Sequence, residues 1–240
     1  MRLIEAPSPN FDARREPPDM IVLHYTGMTS GEAALERLRD PAAKVSAHYL
    51  VEEDGRTFAL VDEARRAWHA GVSSWQGVTD INARSIGIEI VNPGHEFGYR
   101  PFPESQIQAV IALLGEIRER WTIEDGLILG HSDIAPRRKQ DPGELFPWSE
   151  LAAAGHSLWV EPPPAPGPEL AVGAEGLGVL ALRGALARLG YDVPAQGPFD
   201  ADLAIVVTAF QRHWRQTRWD GVADGDTRAR LMALLRLAGA

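Results

Sequence analysis

A dense run of prolines divides this chain into two parts. The segment 161–168 reads EPPPAPGP and contains five prolines. Proline lacks a backbone N–H and fixes φ, so the segment cannot continue a helix or a strand and favours an extended, semi-rigid backbone. The 240 residues are enough for one large and one small hydrophobic core. We therefore predict a first domain at 1–158, a linker at 159–170 and a second domain at 171–240.

The composition excludes several kinds of partner and site. The formal net charge is −9, which gives the chain no basic surface for nucleic acid or anionic lipid. Because cysteine is absent, any metal must be bound by His, Asp or Glu. The first ten residues, MRLIEAPSPN, lack the apolar stretch of a leader. We expect no nucleic-acid partner, no membrane span and a cytoplasmic monomer, with the periplasm as the alternative if a leader has been removed.

The first part mixes short apolar runs with amphipathic segments. Apolar runs bounded by turn residues indicate strands, and apolar residues three and four apart indicate helices. This mixture predicts an α/β domain with a mixed central β-sheet flanked by helices. The predicted strands are 20–24, 47–51, 57–61, 85–91 and 126–130, and the predicted helices are 30–39 and 104–121. The Asp54-Gly55 pair predicts a hairpin turn between the second and third of these strands.

Leucines at helical spacing dominate the second part. They predict helices at 177–189, 201–215 and 227–237, separated by glycine-rich turns. We therefore predict a small three-helix all-α domain.

Two histidines lie at the ends of predicted strands. His24 ends MIVLH and His131 follows GLILG. One such histidine is usually structural, but neighbouring strands could bring both imidazoles to one edge of the sheet. Asp141 lies in the loop 131–148, which is too rich in Pro, Arg and Gly for helix or strand, and the following proline favours an extended backbone there. A catalytic zinc takes three nitrogen or oxygen ligands and keeps one open position. These three residues can therefore supply a Zn2+ site.

Two further residues are candidates for the chemistry beside that metal. Glu89 alternates with three isoleucines in SIGIEIV, so it faces away from them, and desolvation would raise its pKa toward that of a neutral-pH base. Lys139 lies two residues before Asp141 and could stabilise an oxyanion. A solvent-facing strand residue and a solvated loop lysine are the structural alternatives.

Five separated blocks resemble the zinc N-acetylmuramoyl-L-alanine amidases of the AmpD and AmiD type, also called amidase type 2. The blocks are IVLHYTG from Ile21, VSAHYLVEEDG from Val45, AWHAGVSSWQG from Ala67, SIGIEIVN from Ser85 and GHSDIAPRRKQDPGELFPW from Gly130. The resemblance implies that His24, His131 and Asp141 bind one zinc ion. It also implies that Glu89 is the general base or acid and that Lys139 stabilises the tetrahedral intermediate.

The same resemblance implies the substrate. The bond cut would be the amide between the lactyl group of N-acetylmuramic acid, ordinary or 1,6-anhydro, and L-alanine, so peptidoglycan or muropeptide fragments are the expected partners. The family lines its groove with the WHAGVSSW region, and we predict substrate contacts from Trp68, His69, Trp75, Asn82 and Arg84. The alternatives are a peptidoglycan-fragment binding protein without activity and a zinc peptidase that cuts within the stem peptide.

The second part resembles the three-helix peptidoglycan-binding module of wall hydrolases. The match lies in ALRGALARLGYDV, GPFDADL, VVTAFQRHW and DGVADGDTRARL, but Ala204-Ile205-Val206 departs from the usual Thr-x-x-Ala-Val pattern. Wall binding and simple packing on the first domain are both open. The presence of this module and the sequences of two blocks, WHAGVSSWQG and DIAPRRKQDPGELFPW, are more similar to the AmiD type. The missing leader points instead to the cytoplasmic AmpD type.

Overall fold

A mixed β-sheet forms the centre of the first part, as predicted. The computed structural model describes residues 1–238. Its strands are β1 Leu3–Glu5, β2 Phe11–Ala13, β3 Met20–Tyr25, β4 Tyr49–Val51, β5 Thr57–Ala59, β6 Arg65–Ala67, β7 Ser85–Ile90 and β8 Ile128–Gly130. Six of them form one sheet in the order β1-β5-β4-β7-β3-β8, and β2 pairs with β6 in a separate ribbon. Strands β4, β7, β3 and β8 are parallel neighbours, while β4 and β5 form the predicted hairpin.

Helices flank this sheet, and three helices joined by loops form the C-terminal part. They are α1 Gly31–Arg39, α2 Ile81–Arg84, α3 Gly94–Phe97, α4 Glu104–Arg120, α5 His131–Ile134, α6 Trp148–Ala153, α7 Leu177–Leu189, α8 Ala201–Trp214 and α9 Gly225–Leu237. The three C-terminal helices agree with the periodicity of the leucines. Within residues 1–238, none of these helices is long and apolar enough to cross a membrane. The cytoplasmic location and the monomeric state stay predictions.

The expectation that the loop 131–148 contains no helix was wrong at both ends. Its first four residues form α5, and its last residue begins α6. The cause is local: the carboxylate of Asp133 accepts a hydrogen bond from the Gly130 amide at 2.8 Å and so holds the first turn of α5. Composition does not reveal such a bond.

Alternation along the central strands separates an apolar face from a polar one. On β7, Ile86, Ile88 and Ile90 are buried in the core formed with α4. The residues between them therefore point to the opposite face. There His24 of β3 lies directly opposite Glu89 of β7 in the parallel register. The sheet thus places an imidazole and a carboxylate side by side near the carboxyl ends of two strands.

The C-terminal helices share a hydrophobic core with the sheet. Buried side chains of β3, including Met20 and Val22, belong to the same cluster as Leu186 of α7 and Phe210 of α8. Trp75 takes part in this junction, because its ring meets Tyr191 edge to face at 4.9 Å and is only 1% exposed. The helical part is therefore packed directly on the first part.

The proline-rich segment is attached to the C-terminal helices and is not a free spacer. It contains neither helix nor strand. Its Ala165 amide donates to the Gly225 carbonyl at 2.8 Å, and Arg228 donates to the carbonyls of Pro166 and Gly167. The segment is thereby fixed along the start of α9.

Candidate metal centre

Three buried side chains converge where β3 and β8 end. His24 lies one residue before the end of β3, His131 begins α5 directly after β8, and Asp141 follows ten residues later. The Nδ1 atoms of the two histidines are 2.9 Å apart, and Asp141 Oδ2 lies 3.2 Å from His24 Nδ1 and 3.0 Å from His131 Nδ1. The structure thus brings together the three predicted ligands and leaves His48 outside the group.

Hydrogen bonding alone cannot account for this triangle. A neutral imidazole carries one N–H, and a carboxylate carries none. If both Nδ1 atoms donate to Asp141, two N–H groups face each other across the short contact between the rings, and neither can accept. If instead one ring donates to the other, the Nδ1 lone pair of the accepting ring faces the carboxylate. A cation between the three atoms satisfies all of them. Tetrahedral zinc places its ligands about 3.3 Å apart, which is close to the observed spacing, so the residues fit the metal.

Surrounding groups prepare both imidazoles for this role. His131 Nε2 donates to the Ala70 carbonyl at 3.0 Å, which leaves the Nδ1 lone pair facing the other ligands. Burial lowers the pKa of His24 to about 4, so its imidazole is neutral at pH 7. Burial alone would raise the pKa of Asp141, but the neighbouring His131 and His24 hold it well below its usual range. His24 and Asp141 are therefore in the protonation states that a metal needs.

Glu89 is the unpaired carboxylate of the site. Its Oε2 atom is buried and has no hydrogen-bond partner among residues 1–238. Burial, followed by the nearby charge of Asp141, raises the pKa of Glu89 to about 8. A carboxylate with such a pKa can both accept and release a proton near neutral pH. This is the environment that the alternation in SIGIEIV predicted.

A cavity of about 210 Å³ opens over the three ligands. Glu89 and Lys139 both line it, so the loop places Lys139 and Asp141 at the same space. Of the five predicted substrate contacts, Trp68 and His69 line this cavity. The placement agrees with the sequence, while the roles of these residues stay predictions.

The other three predicted substrate contacts lie outside this cavity. Trp75 is buried against the C-terminal helices, and the Asn82 carboxamide accepts hydrogen bonds from the amides of His69 and Ala70. Arg84 forms a two-point salt bridge with Asp19. Asn82 and Arg84 thus have polar partners inside the fold, and none of the three side chains lines the cavity.

Several residues that line the cavity were not predicted from the sequence, and Tyr25 and Arg37 are among them. Tyr25 follows His24 directly, its hydroxyl lies 3.0 Å from His95 Nδ1, and burial raises its pKa to about 12. Arg37 of α1 also lines the cavity and has no ion-pair partner in the part of the chain that the structure describes. The position of Tyr25 could have been a signal, whereas that of Arg37 depends on where α1 packs.

Known proteins share both parts of this architecture. Residues 14–144 match the family described as N-acetylmuramoyl-L-alanine amidase, and residues 175–231 match a family described as a peptidoglycan binding domain. The chain is 36% identical to the N-acetylmuramoyl-L-alanine amidase AmiD of Escherichia coli over 99% of its own length and 91% of that protein. The chain belongs to the N-acetylmuramoyl-L-alanine amidase family. The predicted resemblance and the prediction of an enzyme of this family are confirmed.

Solved structures of family members agree with the fold. The amidase AmiD from E. coli, in complex with the substrate anhydro-N-acetylmuramic acid-L-Ala-D-γ-Glu-L-Lys, superposes with a TM-score of 0.79 at 36% identity and covers 95% of this chain and 92% of its own. AmpDh3 of Pseudomonas aeruginosa gives the same TM-score at 33% identity, with 94% of each chain covered. The 1,6-anhydro amidase AmpD of Citrobacter freundii is 34% identical but covers 61% of this chain and 87% of its own. Relatives of the AmiD amidase type therefore match both parts of the chain.

Proposed function

We propose that this amidase uses one zinc ion to hydrolyse the amide between the lactyl group of N-acetylmuramic acid and L-alanine in peptidoglycan fragments. The observation that supports it most is the triangle of His24, His131 and Asp141, which faces the same cavity as the unpaired carboxylate of Glu89. Zinc held by that triangle supplies an activated water and polarises the scissile carbonyl. The other steps belong to side chains of the chain itself.

Glu89 and Lys139 have separate roles: Glu89 transfers protons, and Lys139 stabilises negative charge. Glu89 takes a proton from the attacking water and returns it to the departing nitrogen of L-alanine, which its raised pKa suits. Lys139, at the wall of the same cavity, stabilises the negative charge that develops on the lactyl oxygen. The Tyr25 hydroxyl remains protonated, because burial raises its pKa to about 12, and can act only as a neutral group.

The substrate is proposed from the relatives and from the charge of the cavity. Relatives bind anhydromuramic peptides, and we extend this to ordinary and 1,6-anhydro muramoyl peptides for the present chain. Such stem peptides carry carboxylates. Arg37 is a cation at the cavity wall without an acidic partner among residues 1–238, so we propose that it binds a stem-peptide carboxylate in the place first assigned to Arg84.

The test is product analysis on defined muropeptides. Zinc-loaded protein incubated with reducing and with 1,6-anhydro muramoyl peptides should release intact stem peptide with a free L-alanine amine, identified by mass spectrometry. Glu89→Gln should bind zinc normally and lose at least about 100-fold in rate. Release of shortened peptides would instead indicate a peptidase, and zinc-loaded protein that binds the fragments without cutting them would indicate a recognition protein.

A further inference from the structure

The imidazole of His69 lies between a metal ligand and the protein backbone. His69 Nδ1 is 3.0 Å from His24 Nε2, and His69 Nε2 is 3.2 Å from the hydroxyl of Ser85. That hydroxyl is 2.7 Å from the carbonyl oxygen of Ile81. His69 is buried, and both of its ring nitrogens are occupied by these contacts. It therefore offers no free nitrogen to a substrate.

The direction of each hydrogen bond between Ile81, Ser85, His69 and His24 follows from the carbonyl group of Ile81, where the series ends. A carbonyl oxygen cannot donate, so the proton between Ser85 and Ile81 must come from the Ser85 hydroxyl. Because the hydroxyl donates its only proton to Ile81, it must accept a hydrogen bond from His69 Nε2–H. A neutral His69 then has a bare Nδ1, which must accept from His24 Nε2–H. The remaining nitrogen of His24, Nδ1, consequently presents its lone pair to His131 and Asp141.

The sheet provides room for this arrangement at one glycine. Gly87 stands between Ile86 and Ile88 in β7, where a side chain would point to the polar face. A β-carbon at this position would lie 2.4 Å from the His69 ring. The glycine between two isoleucines of this strand is thereby explained: it makes space for the ring that contacts His24.

We propose that His69 is a positioning residue that fixes the tautomer and orientation of the ligand His24 through the hydrogen-bonded series Ile81, Ser85, His69, His24. The residue acts through His24 rather than on the substrate, which replaces its predicted role in substrate binding. The proposal rests on the metal site of the proposed function and is independent of the bond that is cut. Groups that orient a metal ligand in this way typically change metal affinity by about 10- to 100-fold when removed.

A matched pair of variants tests the proposal. His69→Asn keeps an acceptor oxygen close to the position of Nδ1, whereas His69→Leu has nearly the same shape and no acceptor. Zinc affinity, measured by competition with a chromophoric chelator, should fall about 10- to 100-fold in His69→Leu and only a few-fold in His69→Asn. Thermal unfolding of the metal-free proteins checks that both variants are folded. Equal zinc affinities in the two variants would overturn the proposal.

A second measurement needs no substitution at all. In the metal-free wild-type protein, nitrogen-15 NMR of the imidazoles should show His24 with its proton on Nε2 and His69 likewise on Nε2. A His24 proton on Nδ1 would overturn the proposal even if the His69 variants failed to fold. Because neither experiment measures turnover, an amidase assay that fails would contradict the proposed function and leave this inference standing.

Discussion

The carboxylate of Asp133 accepts a hydrogen bond from His213 Nδ1 at 2.7 Å. Asp133 belongs to α5, two residues after the ligand His131, while His213 belongs to α8 in the C-terminal part. The imidazole is stacked between Trp148 and Trp214, with ring centroids 3.6 and 3.7 Å away. The fully buried Asp133 carboxylate also accepts from the Tyr191 hydroxyl at 2.7 Å. The helix that carries a metal ligand is thus held by two donors from the C-terminal part.

Replacing His213 by phenylalanine should destabilise the protein through this contact. The phenyl ring keeps the stacking on both tryptophans, but Asp133 loses a donor while remaining buried. We expect the free energy of unfolding to fall by about 3 kcal/mol, measured by urea denaturation. Tyr191→Phe, which removes the other donor, should cost about 1 to 3 kcal/mol. A His213→Phe protein as stable as wild type would show that the contact does not contribute.

Removing the charge of Asp141 should weaken the metal site while preserving its shape. Asp141→Asn retains the size of the side chain but lacks the anionic oxygen that faces both Nδ1 atoms. Zinc affinity should fall by more than about 100-fold, the upper range for loss of an outer partner, as measured by metal analysis after dialysis against a chelator. Asp19→Asn is the matched control, since Asp19 pairs with Arg84 away from the cavity. Full zinc occupancy in Asp141→Asn would remove this residue from the ligand set.

The titration of Glu89 should depend on the metal. In metal-free protein its carboxyl carbon should titrate at about 8 by carbon-13 NMR, with Glu89→Gln identifying the signal. Zinc binding should lower this pKa, because a nearby cation stabilises the carboxylate. A Glu89 that titrates at its ordinary value near 4.5 in metal-free protein would contradict the buried environment.

The same shift has a consequence for stability that can be measured separately. Between pH 4.5 and about 8 the folded metal-free protein keeps a proton that the unfolded chain releases. Glu89 therefore makes the free energy of unfolding decrease as pH rises through this window. Glu89→Gln should remove that part of the pH dependence of the free energy of unfolding, measured by urea denaturation. If this dependence is the same in Glu89→Gln and wild type, the raised pKa of Glu89 is contradicted.

Arg37 should affect substrate binding more than turnover. If it binds a stem-peptide carboxylate equally in the ground and transition states, Arg37→Gln raises KM roughly tenfold with little change in kcat. Arg39→Gln is the control, because Arg39 belongs to the same helix and does not line the cavity. A substrate with amidated carboxylates should reduce the difference between Arg37→Gln and wild type. Identical KM values for Arg37→Gln and wild type would exclude this contact.

The sequence was most informative where strand periodicity and chemistry coincide. The alternation around Glu89 predicted its face, and two strand-end histidines predicted the metal edge, because parallel strands end side by side. By contrast, the three-residue strands β1, β2 and β6 and the four-residue helices are too short to carry a period. Their positions follow from contacts with residues distant in the chain.

Substrate contacts were harder to predict because similar residue types, such as tryptophan, occur in substrate grooves and in hydrophobic cores. Trp75 belongs to an aromatic block beside the cavity, yet its ring packs on Tyr191, more than a hundred residues later. Arg84 is paired with Asp19, whereas Arg37, on a different helix, is a cation that lines the cavity. Only the folded chain shows which polar groups already have partners. His69 was correctly placed at the cavity, but its two hydrogen bonds assign it a different role.

The attachment of the proline-rich segment along α9 has a consequence for how the enzyme meets its target. Since the segment is attached at Ala165, Pro166 and Gly167 and the two parts share a core, we expect the helices and the cavity to keep one relative orientation. Whatever surface the helices rest on, the cavity then stands at a set height and angle above it. Such an enzyme can cut only the bonds that lie at this distance from the bound helices, and it must dissociate before it can cut others. A hydrolase whose two domains are joined by a flexible linker does not have this restriction.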